Sequence, residues 1–371
     1  MVVAIYNACF TSMTLSPILL GGYADKLHVS PGAVGTAISV ENFAYAGGLL
    51  LLAGFVKRFP DKLVLTAALA IMTAMSLLTA LATNVATLMM FRACYGLAVG
   101  LCTSVVVERF SKPENAQRTW SLANFAHLLY AFSLLLVGGA VATRWGVAGV
   151  CLLMAAIFVG CLVCGLALSP SVREPRAVTA KPKSASGFPR LAVLCGVAAL
   201  FFVNAGHQTL WAFQERMGER TDLARPAINF ILAVSVWGAV FGTVAILLLG
   251  ERFGRRWPNV FCYIVLLASA YLLSTPNSVA YISGAVLVKA AWFFSLPMIT
   301  GALTLLDRSG RASATGLAMM TFGASFGPAV GSVVARAGMP VVCLLAGGFY
   351  LISFIATLPL LWPERREPEA A

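Results

Sequence analysis

The chain has 371 residues, of which 60% are hydrophobic and 11% charged, whereas soluble domains run at about half apolar and a quarter charged. That balance excludes a soluble enzyme or a nucleic-acid-binding domain and assigns the chain to a bilayer. The formal net charge of +12 therefore has to be read by where the basic residues fall, not as a sum.

Apolar runs occupy residues 2–22, 32–56, 63–83, 86–107, 119–141, 146–168, 190–214, 226–249, 258–275, 278–305, 312–335 and 339–362. About 20 residues at 1.5 Å each cross a hydrocarbon core of roughly 30 Å. None of the runs alternates as a barrel strand would, and their internal Gly96, Gly100, Pro297 and Pro328 suit membrane helices that pack closely and bend. The expected fold class is all-α integral membrane, with twelve transmembrane helices. If Met1 is cytoplasmic, 18 of the 26 Lys and Arg residues lie in inner loops and the tail, six lie in outer loops, and Arg92 and Lys289 lie in spans. The positive-inside rule then sets both termini in the cytoplasm. The first run has no basic n-region, so no cleavable signal peptide is expected. The compact chain points to a multi-pass protein of a bacterial inner membrane.

In chain order, the first span carries Asn7, Thr11 and Ser12, and the second carries Glu41 within Ile38-Ser-Val-Glu-Asn-Phe-Ala-Tyr-Ala-Gly-Gly48. Glu41 is the one acidic residue well inside a span, about 13 Å from the outer surface. A charge at the bilayer centre costs at least about 2.5–3.5 kcal/mol, so it should face a cavity or a partner. Tyr45 shares its helix face, and Glu41 reads either as a proton-carrying carboxylate or as half of an ion pair between helices. Span 4 carries Arg92, close enough to its outer end to snorkel. Span 5 carries His127, a second proton candidate or a packed, hydrogen-bonded ring. The nine cysteines all fall in spans and read as packing residues. Cys161 and Cys164 lack companion ligands, so no metal is expected.

Residues 169–189 are rich in Pro, Ser and basic side chains and form a cytoplasmic linker. They separate an N-terminal six-helix bundle, 1–168, from a C-terminal one, 190–362, followed by a tail, 363–371. In the second bundle, span 7 offers Asn204, His207, Gln208 and Trp211 as a polar and stacking surface, or as a stripe bonding its neighbours. Span 10 places Lys289 deep in the bilayer, followed by Trp292 and Phe293. Aligning Arg58-Phe59 with Arg252-Phe253 gives an offset of 194 residues that brings the inner loops of the two halves into register. Two six-helix repeats are the plan of a secondary transporter with a midplane site.

The loop Glu251-Arg-Phe-Gly-Arg-Arg256 is similar to the D-R-x-G-R-R loop of the major facilitator superfamily, with Lys57-Arg-Phe-Pro-Asp-Lys62 as its degenerate copy. Arg92-Ala-Cys-Tyr-Gly96-Leu-Ala-Val-Gly100 resembles that family's R-x-x-x-G-x-x-x-G helix. The resemblance covers essentially the whole chain. It implies that Glu251, Arg252, Gly254, Arg255, Arg256 and Arg58 latch one conformation at the inner surface, and that spans 1, 4, 7 and 10 line a central cavity. Arg92 and Lys289 would then meet a substrate together, which suits an organic anion. Span 5 has Leu136-Val-Gly-Gly139 where proton-antiporting drug exporters of the family carry Gly-Pro.

The expected function is a proton-coupled secondary transporter of a small organic anion or metabolite, without enzymatic activity. Glu41 and His127 would carry the proton, and Arg92, Lys289, Asn204, His207, Gln208, Trp211 and Trp292 would bind substrate. The alternative is a proton-antiport exporter of lipophilic or cationic compounds. No nucleotide-binding motif is present, so no cofactor is expected. The partners are substrate, protons and lipid, and the chain is expected to act as a monomer.

Overall fold

The computed structural model describes residues 1–50, 59–110, 116–168, 190–249, 254, 256–306 and 311–361. They form thirteen α-helices and one 3-10 turn: α1 (Val2–Cys9), α2 (Thr11–Leu27), α3 (Pro31–Leu50), α4 (Asp61–Ala80), α5 (Val85–Phe110), α6 (Ala116–Ala167), α7 (Arg190–Gly218), α8 (Arg225–Ser235), α9 (Gly238–Leu249), α10 (Arg256–Ser274), α11 (Ser278–Leu306), α12 (Arg311–Val334), the turn Ala335–Ala337 and α13 (Met339–Leu361). The expected linker, 169–189, and the tail lie outside the described residues.

Ten helical stretches among the described residues are long and apolar enough to cross a membrane. One of them, Leu122–Ala167, is two crossings. The 52 residues of α6 would extend about 78 Å as a single rod, but Gly146 at φ 63° and ψ −167° folds it back, a conformation open to glycine. Helix α3, which ends where the described segment ends, supplies the remaining crossing, and the protein is an all-α membrane protein of twelve spans.

Two spans are broken where the apolar runs gave no sign of it. The first divides at Phe10, with φ −95° and ψ 5°. The eighth divides between α8 and α9, where Val236 and Trp237 donate to the carbonyls three residues back, Ala233 and Val234. Such tightened turns interrupt the α-helical ladder without exposing it.

Within the first half, α3 and α5 touch backbone to backbone. A β-carbon at Gly96 would collide with the carbonyl oxygen of Glu41. The second half repeats this contact between α9 and α11, where a β-carbon at Gly242 would collide with the carbonyl oxygen of Ala290. Under the 194-residue offset Gly48 corresponds to Gly242 and Gly96 to Ala290, so the same helix crossing recurs with the glycine of spans 2 and 8 shared and that of span 4 replaced by alanine in span 10. Small residues at such crossings let helices meet closely in lipid, where van der Waals packing rather than water drives association.

The halves meet along three seams. Trp211 Nε1 of α7 donates to the carbonyl of Met13 in α2 at 2.9 Å. Asn42 of α3 reaches the carbonyl of Ala324 in α12 at 3.5 Å. Asn229 of α8 packs on Gly139 of α6 and bonds its carbonyl at 3.4 Å.

Because Gly96 is in backbone contact, Gly96→Leu should lower the thermal unfolding midpoint of the detergent-purified protein, in line with an overpacking cost of about 1–3 kcal/mol. Gly160→Leu should not, since Gly160 is exposed and a β-carbon there meets nothing within 4 Å.

Candidate functional site

Between the halves lies a cavity of about 660 Å³. Its wall is built from the N-terminal part of the first span (Tyr6, Phe10, Met13), the C-terminal part of α3 (Asn42, Tyr45) and the first half of α6 (Asn124, His127). The second half contributes Asn204, His207, Gln208 and Trp211 from α7, Lys289 and Trp292 from α11, and the first half of α12. Because successive spans alternate in direction, the contributing ends of the first span, α3, α6 and α12 all belong to the membrane face that bears Met1. The cavity thus occupies mid-depth and the Met1 side.

Lys289 is the cation of this cavity. It is 9% exposed, with Nζ 3.2 Å from His207 Nε2 and 3.6 Å from the centre of the Trp211 ring. His207 in turn stacks on Trp292, with ring centres 4.1 Å apart and planes 8° from parallel. Since the ammonium can only donate, His207 Nε2 accepts and the ring proton sits on Nδ1. That Nδ1 and Trp292 Nε1 are buried without a hydrogen-bond partner. Among the described residues no carboxylate pairs with Lys289, and none lines the cavity. The polar stripe foreseen on span 7 is therefore gathered at one wall, although Asn204 spends its amide donor on the carbonyl of Met320 at 2.6 Å.

Arg92 and Glu41 lie elsewhere. The Arg92 guanidinium is 3.2 Å from Glu41 Oε2 and 2.9 Å from Ser12 Oγ, between the rings of Tyr23 and Tyr95 at 5.8 and 5.6 Å. Both residues are buried, at 4% and 7% exposure, and neither lines the large cavity. Arg92 is thus placed away from Lys289 and is already neutralised. The partner of Glu41 is Arg92 rather than Tyr45, because the close α3–α5 crossing brings the two charged side chains to the same depth. His127 does line the cavity, with Nδ1 3.2 Å from Asn7 Oδ1.

Of the expected inner latch, Arg58, Glu251, Arg252 and Arg255 lie outside the described residues. Gly254 takes φ 63°, and Arg256 opens α10 exposed to solvent. Nearby, Asp61 of the degenerate loop copy pairs with Arg109 at 2.7 Å. On the opposite face stands a network that sequence reading treated only as topology. Asp25 at the end of α2 pairs with both Arg216 of α7 and Arg225 of α8. Glu219 bridges the same two arginines at 2.7 Å each, and buried Glu215 lies 3.2 Å from Arg225. Arg216 also donates to the carbonyl of Gly21. These bonds tie the first half to the second at the end away from the cavity. The signal was present as opposite charges at the ends of spans 1, 7 and 8, but their pairing depends on how the two bundles dock.

Two predictions follow from this charge arrangement. Arg92→Met alone should destabilise the protein by about 3–5 kcal/mol, because it leaves a buried carboxylate unpaired, while Arg92→Met with Glu41→Met should recover most of that loss; thermal unfolding of the purified variants measures both. Asp25→Asn should loosen the closed face, read as faster hydrogen–deuterium exchange in peptides covering 18–30 and 212–226.

The sequence profile of the Major Facilitator Superfamily matches residues 1–213 and again residues 194–371. Similar solved structures include the nucleoside transporter NupG (14% identity, TM-score 0.76, covering 98% of each chain) and a D-xylose-proton symporter (15%, 0.77, covering 98% of this chain and 97% of that one). A bacterial homologue of the human lysosomal transporter Spinster, inward-facing and occupied, is also similar (15%, 0.71, covering 97% and 93%). No curated protein matches the sequence. At these identities the structures establish the shared fold, and the profile, spanning the whole chain, establishes the family: the protein belongs to the Major Facilitator Superfamily of membrane transporters.

Proposed function

We propose that this transporter carries a small organic anion by alternating access, coupled to protons, with the cavity facing the cytoplasm in the state described. The observation that carries the reading is Lys289: a buried cation without a carboxylate partner among the described residues, on the wall of the cavity between the bundles. A charge so placed is costly, and a substrate carboxylate would supply the missing countercharge. The cytoplasmic orientation rests on the positive-inside count, with the Asp25–Arg216–Arg225 network as the closed outer gate. The similar structures, described as a proton symporter and as inward-facing, are compatible with coupling and state.

Glu41 is the proposed proton carrier. Taking up a proton would dissolve its pair with Arg92 and loosen the first span from α3 and α5, since Ser12 shares the same guanidinium. His127 would exchange the proton with the cavity. The exporter of lipophilic cations is the weaker reading, because no carboxylate lines the cavity among the described residues.

In proteoliposomes, Glu41→Gln should keep anion counterflow within a few-fold of wild type and lose accumulation driven by a pH gradient. Unchanged gradient-driven accumulation in that variant would remove Glu41 from coupling. Lys289→Gln should lose both activities, and full counterflow in Lys289→Gln would contradict the anion site.

A further inference from the structure

Resting on the anion reading of Lys289, we infer that the substrate is a monocarboxylate with an apolar, ring-sized body, and not a di- or tricarboxylate, a sugar or a nucleoside. The argument is an inventory of what the cavity offers. Among the described residues its wall holds one lysine and no arginine, and Arg92 lies outside the wall with its guanidinium committed to Glu41 and Ser12. A second carboxylate on the substrate would therefore enter the cavity without a countercharge, which a low-dielectric site penalises heavily.

A sugar or a nucleoside, being uncharged, would leave Lys289 without a countercharge, and part of the wall's polar inventory is already committed. The donors of Asn42, Asn204 and Trp211 are directed to backbone carbonyls of Ala324, Met320 and Met13. His207 Nδ1 and Trp292 Nε1 in the stack beside Lys289 lack partners but are sealed from the cavity surface, whereas the amides of Gln208 and Asn124 line the cavity. A single carboxylate presents about four acceptor positions, enough for the Lys289 ammonium and an amide such as that of Gln208 on the same wall.

The lining is mostly apolar, with Tyr6, Phe10, Met13, Leu128, Phe293 and Leu317 beside the polar Asn42, Asn124 and His127, and it can bury an apolar body. A volume of about 660 Å³ lies within the range of roughly 300–1,000 Å³ typical of small-molecule sites, and aromatic walls favour a flat ring that stacks offset or edge-on. One cation in a mostly apolar wall suits an amphipathic monoanion.

The test is binding to the full-length purified protein by thermal shift and isothermal titration, using benzoate, 3-phenylpropionate, phthalate, succinate, benzamide, 3-phenylpropionamide, xylose and uridine. The inference expects the aromatic monocarboxylates to bind at least tenfold more tightly than their amides and than either dicarboxylate, with no response to xylose or uridine. Their advantage over the amides should vanish in Lys289→Gln, whose own unfolding transition reports whether it folds, while the comparison on wild type stands without that variant. Tighter binding of phthalate or succinate than of the monocarboxylates, with the amides silent, would overturn the inference yet leave the anion reading standing. Equal binding of acids and amides would overturn both. Failure of every monocarboxylate to bind overturns the inference.

Discussion

A charge buried in a bilayer must be neutralised, and this protein meets that constraint in two different ways. In the first half the charge is cancelled internally: Arg92 and Glu41 face each other at 3.2 Å across a helix crossing that Gly96 keeps tight. In the second half it is left open: Lys289 has a histidine and aromatic rings about it but no carboxylate among the described residues. The offset that relates the halves sets Val286 at the position of Arg92 and Ser235 at that of Glu41. The ion pair is therefore absent from the second repeat, and a lone cation stands one helical turn further along. Two copies of one packing scheme have diverged into a closed electrostatic element and an open one.

The same asymmetry orders the rest of the molecule. The open cation faces the space between the bundles, so the proposed substrate there would be held by both halves at once. The charged network of Asp25, Arg216, Glu219 and Arg225 ties the bundles together at the far face. Partly exposed pairs of this kind are individually weak and screened by salt, which suits the proposed gate, since a gate has to break and re-form. By contrast, the buried Glu41–Arg92 pair would resist separation unless one partner changed its charge. Weak bonds at the gate and a strong one inside a bundle are what alternating access by rigid-body rocking requires.

Much of the architecture was legible in the sequence because it is written in local properties. Span length, hydropathy and the 194-residue echo between the halves depend on neighbours along the chain, and they yield an all-helical membrane protein with two repeats. Glu41, Arg92 and Lys289 stood out for the same reason, as charges in apolar runs. What the sequence did not give was pairing. Whether Arg92 joins Lys289 on a cavity wall or turns to Glu41 depends on the rotation of α5 about its axis, and a 3.6-residue period leaves that open within one bundle. The Asp25 network was missed because its members lie 191 and 200 residues apart and meet only after the bundles dock. The breaks at Phe10 and between α8 and α9 carry no proline to announce them.

The central claim is that the cavity at Lys289 is the transport site and that it takes the anionic end of its substrate. A structure of the protein with 4-bromobenzoate, located by the anomalous signal of bromine, tests this most directly. The account predicts one bromine peak within the cavity, toward Phe10 and Phe293, with the carboxylate within hydrogen-bond distance of Lys289 Nζ. A peak confined to the outer charged network, or a carboxylate turned away from Lys289 toward the open end of the cavity, would contradict it.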